Sequence, residues 1–231
     1  MHSPPPSPRG RASFLITGIV CASLSLVLIV LVAVAWPPLM SLDVTVAEAL
    51  HRRAVAEPGM VHANRVLTDW VWDPWTMRVL TAVVVVALWW RGSRLLAGWV
   101  AATSLFGTLV QQGLKAAVGR ERPRWLDPVD SAHYAAFPSG HVMTAAVTCG
   151  LLLWVLRLHG AQPSLWWGSL ALGVVSVAGV AFTRVYLGVH WLSDVAGGVA
   201  LGGAVTGLSI AGYTGYRRRA GRPPGDAETP L

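Results

Sequence analysis

The sequence predicts an all-α, polytopic membrane protein: a six-transmembrane-helix bundle with a short amphipathic helix on its outer face. Three observations lead there. Of 231 residues, 54% are hydrophobic and only 13% charged, about half the ~25% charge of a soluble domain. The apolar residues gather into runs close to the ~20 residues that cross a bilayer core. Arginines and tryptophans collect at the ends of those runs, where topology signals and interfacial anchors belong. The alternating pattern of about ten residues expected of a membrane barrel strand is absent, which leaves helices.

The Pro/Ser-rich opening, residues 1–13, reads as a disordered N-terminus. The run from about Phe14 to Trp36 is long enough to be a full span rather than a signal peptide, and it stops at Pro37-Pro38. Residues 37–74 follow. There Leu42, Val46, Ala49, Leu50 and Ala54 recur at helical spacing beside Glu48, Arg52 and Arg53, as in a helix lying on the membrane surface. Further spans are expected from about Trp75 to Trp90, Leu95 to Leu114, Ser139 to Leu158, Leu165 to Phe182 and His190 to Tyr213. The last is rich in small residues: Gly198 and Gly202 are four apart, as are Gly203 and Gly207, a spacing that lets helices approach closely. Packing inside one bundle is favoured over a dimer face. Residues 14–213 therefore form the membrane domain, and residues 214–231 a basic tail.

Orientation follows from the arginines. With the N-terminus inside, Arg9, Arg11, Arg91, Arg94, Arg157 and the group Arg217, Arg218, Arg219 and Arg222 all fall on the inner side. The positive-inside rule thus puts both termini in the cytoplasm. Trp36, Trp75 and Trp191 then mark the outer boundary, and Trp89, Trp90, Trp166 and Trp167 the inner one.

The net charge of +7 does not make a nucleic-acid groove, because most of the chain is apolar runs rather than a solvated basic face. Cys21 and Cys149 lie inside apolar runs and read as packing residues, with no disulfide framework or zinc spacing. Asp127 and Asp130 are three apart in a loop with no evident third ligand for a metal.

The chemistry gathers in two outer segments, 115–141 and 183–194. Lys115, the only lysine, ends the third span, and Arg122-Pro123 follows seven residues later. Pro138-Ser139-Gly140-His141 opens the fourth span. Arg184 ends the fifth, His190 opens the sixth, and Asp194 follows four residues on. The topology argued above brings all these pieces to one side of the membrane. A dianionic phosphate needs several fixed cations: Arg offers a planar fork and Lys a point charge. Ser139 and Gly140 stand at a helix N-terminus, where free N–H groups favour an anion. His190 and Asp194, four apart, are expected on one helix face, so that the carboxylate fixes the imidazole tautomer and frees Nε2 for attack. His141 is suited to protonate a leaving alkoxide and then to activate water. A carboxylate inside an apolar run costs about 2.5–3.5 kcal/mol at mid-span, so Asp194 needs a partner. Arg120, Glu121 and Arg124 read as a solvated loop, as do the acids nearby.

At these residues the chain resembles the type 2 phosphatidic acid phosphatase and vanadium haloperoxidase superfamily. The pattern of that family is K-x6-R-P, then P-S-G-H, then S-R-x5-H-x3-D. Here it reads Lys115 to Arg122-Pro123, Pro138 to His141, and Thr183-Arg184 to His190 and Asp194. Thr183 replaces the usual Ser and keeps a hydroxyl. The resemblance implies that His190 is the nucleophile, His141 the general acid/base and Asp194 the orienting carboxylate. It implies a phosphate cradle of Lys115, Arg122, Ser139, Gly140 and Arg184. It also implies a metal-free reaction without a cofactor, on a lipid phosphate such as phosphatidate, phosphatidylglycerol phosphate, a polyprenyl pyrophosphate or a lipid A phosphate. Soluble haloperoxidases do not match this apolar chain.

The function expected is an integral-membrane lipid phosphate phosphatase working through a phosphohistidine, on the outer side of a cell membrane. Heavy Ala, Val, Arg, Gly and Trp usage beside a single Lys points to a GC-rich bacterial source. A transferase passing the same group to an alcohol, and a lipid transporter with a vestigial site, are the competing readings. A monomer is slightly favoured.

Overall fold

The computed structural model describes residues 8–221, with side chains from residue 11. Arg222, most of the N-terminal segment read as disordered, and the end of the basic tail lie outside the described residues. Among those described there are helices and no strands. In chain order they are α1 (Pro8–Ala33), α2 (Pro37–Ala56), α3 (Pro58–Val66) with a π-helical turn Leu67–Val71, α4 (Pro74–Trp90), α5 (Arg94–Val118), α6 (Gly140–Leu158), α7 (Pro163–Tyr186) and α8 (Leu192–Arg219).

Prolines open five of these helices, at Pro8, Pro37, Pro58, Pro74 and Pro163. The missing N–H costs nothing in the first turn, and the fixed φ suits it. Asp73 caps α4 by accepting the Trp75 N–H at 2.7 Å. Gly119 ends α5 in the left-handed conformation, φ +58°, and turns the chain into the long connection 119–139.

Five stretches are long and apolar enough to cross a membrane: Arg11–Ala33, Pro58–Trp90, Gly140–Leu158, Pro163–Tyr186 and Leu192–Arg219. The sixth expected span, α5, is not among them. It is 25 residues long, but Arg94 and Lys115 lie in its end turns, and Gln111 and Gln112 within it.

Two expectations need correction. Helix α1 begins at Pro8, inside the segment expected to be disordered. The surface helix of segment 37–74 is a 20-residue helix followed by a second one, and its inward face carries buried polar residues beside Val46, Leu50 and Ala54 of the apolar set. Asp43, Ala47, His51 and Ala54 are buried on α2, while Leu42 is exposed. Polar partners elsewhere in the fold account for this: Asp43 meets Arg120 and Ser193, and His51 meets Asp127.

Helix α8 is the central post of the bundle. Its glycines let neighbours approach on two sides. An added Cβ on Gly198 would meet the Ser139 carbonyl at 3.0 Å, and one on Gly202 the Ala146 Cβ at 2.5 Å, both on the α6 side. One on Gly203 would meet Cys21 Sγ at 2.9 Å, and one on Gly207 the Gly18 Cα at 2.9 Å, both on α1. The small-residue spacing is thus used within the chain. One apolar core joins α4, α5, α6 and α8 around Leu96, Val100, Met143, Leu151, Trp154 and Tyr213. A second joins Trp72, Met77, Val142, Val180, Val185 and Val195 just beneath the helix ends that carry the motif residues.

Candidate active site

The C-terminal ends of α5 and α7 and the N-terminal ends of α4, α6 and α8 meet at one end of the bundle. A cavity of ≈ 520 Å³ opens there. Six of the eight residues picked out from the sequence line it: Lys115, Arg122, Gly140, His141, Arg184 and His190. Ser139 and Asp194 lie behind its wall, each 0% exposed.

The sharp exit from α7 sets up His190. Gly188, at φ +69°, takes the chain out of the helix, and the N–H groups of Val189 and His190 both donate to the Arg184 carbonyl. Helix α8 begins only at Leu192. His190 therefore precedes the helix instead of sharing a face of it with Asp194. The contact expected from the spacing still forms, because Asp194 stands in the first turn of α8 and reaches back. Its Oδ2 lies 3.2 Å from His190 Nδ1 and accepts the Trp191 N–H at 2.9 Å. With Nδ1–H donated to Asp194, His190 Nε2 keeps its lone pair, and Arg122 Nη1 donates to it at 3.1 Å. Burial, and then the neighbouring Arg122 guanidinium, hold the His190 pKa well below its ordinary value, so the imidazole is neutral.

Arg122 also donates from Nε to the Tyr134 carbonyl at 2.9 Å, from Nη2 to the His133 carbonyl at 3.1 Å, and from Nη1 to the Val189 carbonyl. Burial and the nearby Arg184 bring its pKa down to about 10. Lys115 Nζ donates to the Ala135 carbonyl. The two cations thus fasten residues 133–135 over the cavity and keep their positive ends inside it. Helix α6 starts at Gly140, with Ser139 as N-cap residue. The Ser139 N–H donates to the Asp194 carbonyl at 3.0 Å, tying α6 to α8. A Cβ on Gly140 would lie 2.6 Å from Gln111 Nε2, so only glycine fits there without displacing that side chain. His141 Nε2 stands 4.0 Å from Asp73 Oδ2.

Two buried donors in this region have no protein partner: the Ser139 hydroxyl and Arg184 Nε. Such groups are rare in folded proteins and mark places where a ligand or strain enters. Asp69, Asp73 and Asp130 line the cavity beside the cations.

The sequence reading missed several residues. Arg120, expected in a solvated loop, is largely withdrawn from solvent; its side chain is 10% exposed and pairs with Asp194 Oδ1 and Asp43 Oδ2, each at 2.6 Å. Asp43, on α2, had no motif to announce it; only a carboxylate facing inward from a surface helix marked it. Asp127, read as a plain loop acid, accepts from His51 Nε2 at 3.1 Å, and His51 stacks on Trp125 at 4.0 Å. These contacts clasp the 119–139 connection to α2.

Fold and cavity together define a membrane-embedded helical protein with a cation-lined candidate site at one end of its bundle. The chain belongs to the PAP2 superfamily, whose family model matches residues 96–218. Among its relatives, phosphatidylglycerophosphatase B of Bacillus subtilis is 37% identical over 102 residues, spanning 42% of this chain and about half (49%) of that protein. Decaprenylphosphoryl-5-phosphoribose phosphatase of Mycobacterium tuberculosis is 32% identical over 181 residues, spanning 77% of this chain and 94% of that protein. The fold matches the crystal structure of a transmembrane PAP2-type phosphatidylglycerolphosphate phosphatase from Bacillus subtilis with a TM-score of 0.73, at 22% identity, over 86% of this chain and 96% of that one.

Proposed function

We propose that this protein is an integral-membrane lipid phosphate phosphatase that transfers a phosphoryl group from a lipid phosphate to His190 and then to water. One observation carries the reading. A neutral, buried imidazole is oriented through Nδ1 by a carboxylate, and its free nitrogen faces a cavity ringed by Lys115, Arg122 and Arg184.

In this scheme the phosphate oxygens accept the donors of Arg122, which leaves His190 Nε2 free to attack phosphorus. Arg184 Nε and the Ser139 hydroxyl, both without a protein partner, are suited to take further oxygens, with the backbone N–H of Gly140 at the α6 N-terminus. The N–P bond forms as the bond to the leaving oxygen breaks. His141 gives that oxygen a proton. His141 then takes a proton from water as the hydroxide attacks phosphorus, and phosphate leaves with His190 restored. Phosphoryl transfer asks the protein mainly for positioning and charge stabilisation, and this site is built for both.

In the membrane, α5 acts as the sixth span beside α1, α4, α6, α7 and α8, where α4 is the crossing part of the stretch Pro58–Trp90 and α2 and α3 lie over the outer face. Residues 14–213 are the catalytic domain. Arg11, Arg91, Arg94, Arg157 and Arg217 to Arg219 sit at helix ends opposite the cavity. Under the positive-inside rule this supports a site on the outer side and both termini in the cytoplasm of a bacterial plasma membrane. The substrate is a phosphatidylglycerol phosphate, a phosphatidate, or a phosphorylated polyprenyl carrier of the kinds named for the relatives. A phosphate-release panel on the purified protein, with phosphatidate, phosphatidylglycerol phosphate and undecaprenyl pyrophosphate, tests it. Turnover of at least one, lost in His190→Ala, is expected. Release of the lipid alcohol with phosphate found on an added acceptor instead of free would establish the transferase reading.

A further inference from the structure

Beneath the His190–Asp194 pair lies a second layer of charge that the reaction scheme above does not use. Arg120 Nη1 donates to Asp194 Oδ1 and to Ser193 Oγ, each at 2.6 Å. Its Nη2 donates to Asp43 Oδ2 at 2.6 Å. Asp43 in turn accepts the Ser193 N–H at 2.8 Å and the Ser193 hydroxyl at 2.5 Å. Asp43 is 1% exposed and Asp194 0%.

We infer that Arg120 and Asp43 are positioning residues for the reaction at His190. They clamp the Asp194 carboxylate so that Oδ2 stays aimed at Nδ1. The inference rests on the reading of His190 as nucleophile. Its geometry is specific. Arg120 holds Oδ1 of Asp194, and the Trp191 N–H holds Oδ2 together with His190. The carboxylate cannot turn without losing one of these bonds. Asp43 fixes the far side of the guanidinium and at the same time caps the α8 N-terminus through Ser193, in place of Trp191, whose side chain has no acceptor. Registration of Asp194 therefore depends on α2, a helix outside the motif blocks.

A purely structural role does not call for this arrangement. One guanidinium bridging two buried carboxylates carries a large desolvation penalty, and apolar residues of similar volume often hold a fold as well or better. The cluster is instead directed at the one carboxylate that orients the imidazole. Outer partners that orient a functional imidazole or carboxylate are worth about 10–100-fold in function where they have been removed around metal ligands, and a similar loss is expected here.

The test uses the purified full chain with p-nitrophenyl phosphate, a small phosphomonoester that needs the cradle and no lipid tail. Arg120→Lys and the near-isosteric Asp43→Asn should each lower kcat about 10–100-fold while KM stays within about threefold. Arg120→Gln should lose more than Arg120→Lys, which keeps the charge and one donor. In an Asp194→Asn background neither change should lower kcat further, because both act through that carboxylate. A rise in KM at unchanged kcat would move Arg120 into phosphate binding and overturn the inference. So would losses that multiply fully on top of Asp194→Asn. Full activity in Arg120→Lys and Asp43→Asn alongside a dead His190→Ala would sink the clamp alone. An active His190→Ala would remove the phosphohistidine reading and the clamp with it. Thermal midpoints of the same samples separate a positioning loss from unfolding.

Discussion

Gly202→Ala is the substitution that best connects the bundle to its chemistry. Helices α6 and α8 carry His141 and Asp194, and at Gly202 they touch almost backbone to backbone. A Cβ there would lie 2.5 Å from the Ala146 Cβ and 3.2 Å from the Met143 carbonyl. Carbon atoms pack at about 3.5–4.0 Å, so the two helices must separate locally by about 1–1.5 Å. Neither obstacle is the tip of a flexible side chain, so the backbone has to give. Overpacking of this kind costs about 1–3 kcal/mol of stability. The functional cost is larger, since a misplacement of about 1 Å between reacting groups can cost about 10²-fold in rate. Gly202 lies two turns below Asp194, so part of that displacement reaches the site, and a fall in kcat of about 10–100-fold is expected. Phosphate release by the purified variant measures it. Moving the methyl group across the interface, in Gly202→Ala/Ala146→Gly, should restore most of the activity. Wild-type kcat in Gly202→Ala, or no recovery in the double variant, would refute the reasoning.

The buried neutral His190 makes stability depend on pH. Its folded pKa is lowered, so below about 6.5 the unfolded chain binds a proton that the folded chain does not. Stability therefore falls as pH drops below that value. The thermal midpoint should decline more steeply between pH 7 and pH 5 for the wild type than for His190→Gln; equal slopes would contradict a neutral buried imidazole. Orthovanadate, which adopts the five-coordinate geometry of phosphorus in transfer, should inhibit competitively, and EDTA should leave turnover unchanged. Strong loss of activity in EDTA, restored by a divalent cation, would replace the metal-free scheme.

The sequence announced the helices and the cradle for a physical reason. Apolar runs, prolines at first turns and arginines at run ends are local signals, and each is readable without the fold. Lys115, Arg122, His141, Arg184 and His190 stand at run ends in fixed spacings, so a count along the chain brings them to one side. Arg120 carries no such signal. It differs from a solvated loop arginine through Asp43 and Asp194, which lie 77 and 74 residues away on two other helices. The inward face of α2 is legible only in part for the same reason: Val46, Leu50 and Ala54 pack inward as their spacing suggests, whereas Asp43 and His51 are buried because Ser193, Arg120, Asp127 and Trp125 meet them. The spacing of His190 and Asp194 gave the right contact by the wrong route, since a turn, not a helix, carries the histidine.

The central claim is that His190 Nε2 becomes covalently bonded to phosphorus. Rapid quenching of the wild-type protein with a substrate labelled on its phosphate should trap an acid-labile, base-stable label, and peptide mapping should place it on His190. A label on His141 or on a carboxylate, or turnover that survives His190→Ala, would contradict the account.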